Sequence, residues 1–181
     1  MKKVRFTLFT MLIIIFSLGA SAQTKSNVLK TNLFSPILKT YWLSYEHLFN
    51  ESTGAQLGFF YTGVGLGDTN FNGFAITPEV RFYLSETAAP KGIYVAPGLR
   101  YTNFSLTDET TTDKATYSAF GAALIVGAQT LLKDIITLEA YLGPAYSFGK
   151  LEVDSGSADT FDLGTFDGFG FRIGVTIGIA F

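Results

Sequence analysis

The sequence predicts an all-β fold, an eight-stranded antiparallel up-and-down transmembrane β-barrel, and three observations predict it. The first is the run from Phe169 to Phe181. Phe169, Phe171, Ile173, Val175, Ile177, Ile179 and Phe181 share one parity, and Gly170, Arg172, Gly174, Thr176, Gly178 and Ala180 share the other. Side chains alternate sides along a strand, so one face is bulky and apolar and the other small or charged. A helix would scatter these residues around its circumference. The run also exceeds the roughly 9–11 residues that a strand needs to cross a bilayer. The second observation is that similar alternations recur along the chain, separated by turn-forming residues. The third is that the charges of these segments fall on the small-residue side.

The start of the chain has a different character. Lys2, Lys3 and Arg5 precede a mostly apolar segment from Phe6 to Leu18, and Ala20-Ser21-Ala22 supplies the small residues of a signal-peptidase site. Residues 1–22 are expected to be a cleaved signal peptide, leaving Gln23 as the mature N-terminus and residues 23–181 as one barrel domain. No uninterrupted apolar run reaches the ~20 residues of a membrane helix. The chain has no Cys, which excludes both a lipid-modified N-terminal cysteine and a disulfide framework. Loss of Lys2, Lys3 and Arg5 takes Lys+Arg from 13 to 10 against 15 acids, a mature net charge of −5. Nucleic acid is therefore not an expected partner, since phosphate binding needs clustered Lys and Arg.

The strands follow in order. From Val28 to Phe34, Leu29, Thr31 and Leu33 oppose Lys30 and Asn32, and Pro36 suits a strand end. From Tyr41 to Phe49, Leu43, Tyr45 and His47 oppose Ser44 and Glu46, before a turn at Asn50-Glu51-Ser52-Thr53-Gly54. From Ala55 to Val64, Leu57, Phe59 and Tyr61 oppose Gln56, Gly58, Phe60 and Thr62, with Phe60 on the polar side. A Gly/Asn/Asp loop is expected from Gly65 to Gly73. Ile76, Pro78, Val80, Phe82 and Leu84 then oppose Thr77, Glu79, Arg81 and Tyr83.

After a turn from Ser85 to Gly92, Ile93, Val95, Pro97, Leu99 and Tyr101 oppose Tyr94, Ala96, Gly98, Arg100 and Thr102. A Thr/Asp-rich loop spans about Thr107 to Thr116. The sixth strand, about Tyr117 to Leu131, puts Phe120, Ala122, Leu124, Val126 and Ala128 opposite Gly121, Ala123, Gly127 and Gln129, with Ile125 on the small face. Lys133-Asp134 turns the chain. Ile136, Leu138, Ala140, Leu142, Tyr146 and Phe148 then oppose Thr137, Glu139, Tyr141, Gly143, Ala145 and Ser147. An acidic loop from Leu151 to Asp167 leads to the eighth strand. Connections after the third, fifth and seventh strands read as longer than those after the second, fourth and sixth, as in barrels with long external loops and short periplasmic turns.

A soluble barrel with its bulky face inside would share this alternation, and volume decides against it. An eight-stranded barrel has an interior just wide enough for side chains to fill, and the large residues of the bulky face would overfill it. Charge placement agrees. A lipid-facing Arg or Lys at the midplane costs about 2–4 kcal/mol, whereas Arg81, Arg100, Arg172, Glu46, Glu79 and Glu139 all lie on the small-residue face. Together they are expected to form a paired lumen network, with Lys30 within reach toward the periplasmic end. Aromatic girdles are expected from Tyr61, Tyr101, Tyr146 and Phe169 at the outer ends and Phe49, Phe82 and Phe181 at the periplasmic ends. Trp42 and Tyr117 point inward by parity.

Ile177-Gly178-Ile179-Ala180-Phe181 resembles the C-terminal strand of bacterial outer-membrane barrels. That resemblance implies that Phe181 is an insertion signal read by the barrel-assembly machinery. The mature chain is similar to the small OmpA-type transmembrane domains. It is closer to outer-membrane barrel families common in Bacteroidetes, whose recurring segments look like Leu29-Lys30-Thr31-Asn32-Leu33 and Leu43-Ser44-Tyr45-Glu46. The resemblance implies an integral protein of the cell outer membrane, surrounded by its lipid and lipopolysaccharide, and brings no catalytic residues and no cofactor. It also implies a departure from full-length OmpA-type proteins, since the chain stops at the barrel without a peptidoglycan-binding domain.

Candidate chemistry is sparse. His47 is the only histidine, near Ser44 and Glu46, and outer-membrane lipid-modifying enzymes use His with Ser or acidic partners. Parity turns His47 away from the other two, which a triad does not allow. Glu152, Asp154, Asp159, Asp162 and Asp167 do not follow the spacing of an EF-hand and read as solvated loop charges, so no metal site is expected. Gly63-Val64-Gly65-Leu66-Gly67 precedes no helix and is no nucleotide loop. A structural or interaction barrel is the leading expectation, with a lipid-modifying enzyme of the outer leaflet and a small pore as alternatives.

Overall fold

The computed structural model describes residues 25–35, 37–66, 69–108, 110–111, 113–156 and 167–181. The expected signal segment, Gln23, Asp159 and Asp162 lie outside the described residues. Eight strands run in sequence order: β1 (Asn27–Asn32), β2 (Thr40–Leu48), β3 (Thr53–Leu66), β4 (Thr69–Tyr83), β5 (Gly92–Asp108), β6 (Lys114–Leu132), β7 (Ile136–Ser155) and β8 (Gly168–Ala180). Each pairs antiparallel with the next, and β8 returns to β1, so the sheet is a closed barrel. The seam sets Val28 opposite Ala180 and Lys30 opposite Gly178. Beyond the last ladder pair, the Asn27 amide donates to the Phe181 carbonyl at 3.1 Å, and the Phe181 amide returns a bond to the Asn27 carbonyl at 2.9 Å. Closure leaves no unpaired sheet edge.

The alternation sorts side chains between a wet-looking inside and an oily outside. Phe120, Phe148, Phe169, Phe171 and Ile173 are each at least two-thirds exposed on the outer surface, while Lys30, Glu46, Arg81 and Glu139 are buried in the interior. Phe60 and Ile125, which broke the pattern in sequence, do point inward. Ile125 is buried, and Phe60 packs on the interior cluster of Phe104, Leu106, Ala115, Tyr117 and Ala119. Glycines make room for aromatic rings on neighbouring strands, two of them directly across a ladder. Gly127 is the register partner of Tyr94, and Gly174 of Tyr141. A Cβ added at Gly127 would stand 2.3 Å from the Tyr94 ring, and one at Gly174 2.5 Å from the Tyr141 ring, both too close to be accommodated.

The strand ends correct the sequence reading. The expected loop from Gly65 to Gly73 is mostly ladder: Gly63 opposes Asn72, Gly65 opposes Asn70, and only 67–68 separate β3 from β4. The Thr/Asp-rich loop contracts to 109–113, and β7 continues to Ser155. Meanwhile the connection 84–91, at the opposite rim, is longer than either of those first two, so connection length does not alternate as expected. Gly and Asn have weak strand preferences, but a hairpin already in register satisfies their amides and carbonyls whatever the side chain. Tyr61 adds a tie, its hydroxyl donating to Asn72 Oδ1 at 3.0 Å.

Candidate functional site

Inward parity alone puts the charged residues in the interior; register decides which ones meet. Lys30 on β1 reaches between two strands far apart in sequence. Its Nζ lies 2.7 Å from Glu46 Oε2 on β2 and 2.6 Å from Glu139 Oε2 on β7, and donates to Gln129 Oε1 on β6 at 2.8 Å. Arg81 on β4 approaches the same acids from the other side. Its Nη2 is 3.0 Å from Glu139 Oε1 and 3.4 Å from Glu79 Oε2, and its Nη1 is 3.6 Å from Glu46 Oε2. Arg172 on β8 completes the set, with Nη2 2.9 Å from Glu79 Oε1.

Three cations and three carboxylates therefore balance across five strands. Their remaining lone pairs are used by neutral donors: Tyr83 donates to Glu46 Oε1 at 2.5 Å, Tyr94 donates to Glu139 Oε1, and Gln56 donates to Glu79 Oε2 at 3.1 Å. The Arg81 guanidinium also lies over the Tyr94 ring, 4.4 Å from its centroid. Charges this deeply buried are tolerable only when paired and hydrogen-bonded. Tyr83, Tyr94, Gln56 and Gln129 were legible as inward-facing, but their roles as donors to these particular acids depend on register.

Arg100 does not join these pairs. Among the described residues its nearest polar partner is Thr102 Oγ1, at 3.4 Å from Nε, and its guanidinium stands 5.5 Å from the Phe60 ring centroid. The expected six-membered network thus has Lys30 where Arg100 was placed. The reason is height along the barrel. Glu79 is already shared by Arg172, Arg81 and Gln56, whereas Arg100 sits opposite Gly121 on the far side of that cluster from the chain termini.

Above the network, away from the chain termini, a cavity of about 330 Å³ opens between Phe60, Arg100, Thr102, Phe104, Tyr117 and Arg172. Arg172 Nη1 is buried without a hydrogen-bond partner among the described residues. At the rim, Asp167 accepts from the Gly149 amide at 2.8 Å. The other described acids of that region are also engaged: Glu152 with Lys150 at 2.7 Å and Asp154 with Thr116 at 3.1 Å. Asp108 Oδ1 accepts from the Thr111 and Thr110 amides at 2.7 and 2.9 Å and from the Thr111 hydroxyl at 3.1 Å. The Thr111 amide foremost holds the Asp108 carboxyl below the usual aspartate range.

Ser44 and His47 do not meet. Ser44 is buried inside and donates to Gln56 Oε1 at 3.2 Å, whereas His47 is on the outer face, with Nδ1 2.9 Å from Asn27 Oδ1 and its ring edge-on to Phe49. Tyr45 donates to the same Asn27 oxygen at 2.6 Å.

The barrel is similar in fold to the N-terminal β-barrel domain of Pseudomonas aeruginosa OprF, with a TM-score of 0.52 and 14% identity over 87% of this chain and 98% of that one. No curated protein matches the chain. Residues 8–153 match the family described as "Protein of unknown function (DUF3575)", and the chain belongs to that family.

Proposed function

We propose that this chain is an integral outer-membrane barrel of structural or interaction type, with its lumen closed by the charge network and its long-strand rim facing outward as a contact surface. The observation that carries the reading is the inversion of polarity: a belt of exposed Phe, Leu and Ile outside and a balanced ion cluster inside. An apolar surface this extensive marks contact with lipid or protein, and a closed barrel spans a membrane with every backbone group paired. The OprF-like fold supports the same placement, and the likeness to Bacteroidetes barrels belongs to this reading too. In it, the short seam end with both termini faces the periplasm, Phe181 is read during insertion, and lipid and lipopolysaccharide surround the belt.

Fractionation tests the placement. The protein is expected in the outer-membrane fraction, and the folded form is expected to migrate differently from boiled protein on a detergent gel. A soluble periplasmic protein would contradict it. The reading includes no enzymatic activity. His47 and Ser44 on opposite faces supply no nucleophile–base pair, and incubation with lipid A is expected to leave its mass unchanged.

A further inference from the structure

Among the described residues the lumen network leaves Arg100 without a carboxylate partner, and Arg100 lines the cavity. Lys30, Arg81 and Arg172 are matched by Glu46, Glu79 and Glu139, whereas Arg100 has a threonine hydroxyl and the face of an aromatic ring. Arg172 gives one guanidinium nitrogen to Glu79 and keeps a second buried and, among the described residues, unpartnered. Both arginines border the same cavity, whose other walls include Phe60, Phe104 and Tyr117 and, at the rim, Asp167, whose carboxylate accepts from the Gly149 amide. The floor is cationic, and most of the walls are apolar. Arg100 is half-buried and Arg172 keeps Glu79, so what the cavity offers an anion is guanidinium N–H donors that lack an acceptor.

We propose that this cavity binds a small amphiphilic anion, with one phosphate or carboxylate head on Arg100 and Arg172 and an apolar body between Phe60, Phe104 and Tyr117. Guanidinium groups suit such heads because their planar donors match two oxygens at once. At about 330 Å³ the cavity is near the lower end of the range for small-molecule sites, so it takes a single-headed solute and not a multi-chain lipid. The ion network beneath makes the cavity a dead end: the ligand enters from the long-strand rim, is held, and leaves the same way. The site goes beyond the structural role proposed above and does not depend on the identity of any partner of the outer rim.

Calorimetry on the refolded barrel in dodecyl maltoside tests the site, with hexyl phosphate, hexanoate, hexanol and inorganic phosphate as probes. Hexyl phosphate and hexanoate are expected to bind one per barrel. Hexanol, without the charge, and inorganic phosphate, without the apolar body, are expected to bind at least about tenfold more weakly, the scale of one charge-assisted hydrogen bond. Arg100→Gln is expected to weaken hexyl phosphate by a similar factor while the gel shift of the folded form stays unchanged. Ala119→Glu provides a second variant. Residue 119 lines the cavity, diagonal to Arg100 across the β5–β6 ladder, so its new carboxylate competes for the arginines and should abolish binding. Equal heats for hexyl phosphate and hexanol, or unchanged affinity in both variants, would overturn the proposal. A multi-chain lipopolysaccharide displacing hexyl phosphate from the site would also contradict it.

Discussion

Lys30 and Glu139, 109 residues apart in the chain, meet 2.6 Å from each other inside the barrel with almost no solvent exposure. The contact ties the first strand to the seventh behind β8, which pairs with both. Glu139 also holds Arg81, so one carboxylate joins both central cations.

Truncating Glu139 leaves the cluster one carboxylate short: Lys30 keeps Glu46 and Arg81 keeps Glu46 and Glu79, but one buried positive charge is no longer balanced. Glu139→Ala is expected to destabilise the folded barrel by about 3–5 kcal/mol, the usual cost of breaking a buried pair from one side. Lys30→Met combined with Glu139→Leu removes both members of one pair and should recover part of that loss. Unfolding in urea, followed by the gel shift of the folded form, measures both. A Glu139→Ala variant as stable as wild type would show that the cluster does not hold the barrel together.

The Tyr94–Gly127 contact makes a steric prediction. Gly127→Val places a branched side chain where the tyrosine ring lies, and the ring must leave the position from which it donates to Glu139. The expected result is slower and less complete refolding. Tyr94→Ala in the same chain should relieve the clash, though not restore the lost hydrogen bond. Refolding yields that are equal for wild type and Gly127→Val would contradict the close approach.

How much of this was readable beforehand depends on what each feature rests on. The inside-out alternation of β8 needed only residue parity, which is why Phe171 and Ile173 on the surface and Thr176 and Gly178 inside follow directly from the string. Even the irregular Phe60 and Ile125 kept their parity. Strand ends were less readable, because Asn70, Asn72 and Gly73 carry turn-like propensities that the hairpin ladder overrides. The choice between Lys30 and Arg100 as the central cation was not readable at all. It depends on how far each strand is staggered around the barrel, and parity says nothing about stagger.

The seam supports a prediction about assembly. Phe181 exchanges two backbone bonds with Asn27 and, in the outer-membrane reading, also supplies the insertion signal. Phe181→Asp is expected to lower the yield of folded barrel in outer membranes several-fold. Refolding in detergent should be affected much less, since the backbone pair survives the substitution. An unchanged membrane yield would rule out the signal.

Acid should loosen the β5–β6 hairpin at the rim away from the chain termini. Because hydrogen bonding holds the folded Asp108 carboxyl below its ordinary value, its contribution is complete above that ordinary value, about 3.9. The contribution fades as pH falls through the folded value. Exchange protection of the Thr110 and Thr111 amides is expected to drop on acidification in wild type and to be pH-independent in Asp108→Asn. The same acid dependence in both would contradict the assignment.

The closure of the lumen is the central claim, and planar-bilayer recording tests it most directly. With Lys30, Arg81 and Arg172 locked to Glu46, Glu79 and Glu139 across a bore this narrow, wild-type protein is predicted to give no steady conductance. Sustained large-conductance openings from the folded wild-type barrel would contradict it and make the protein a pore.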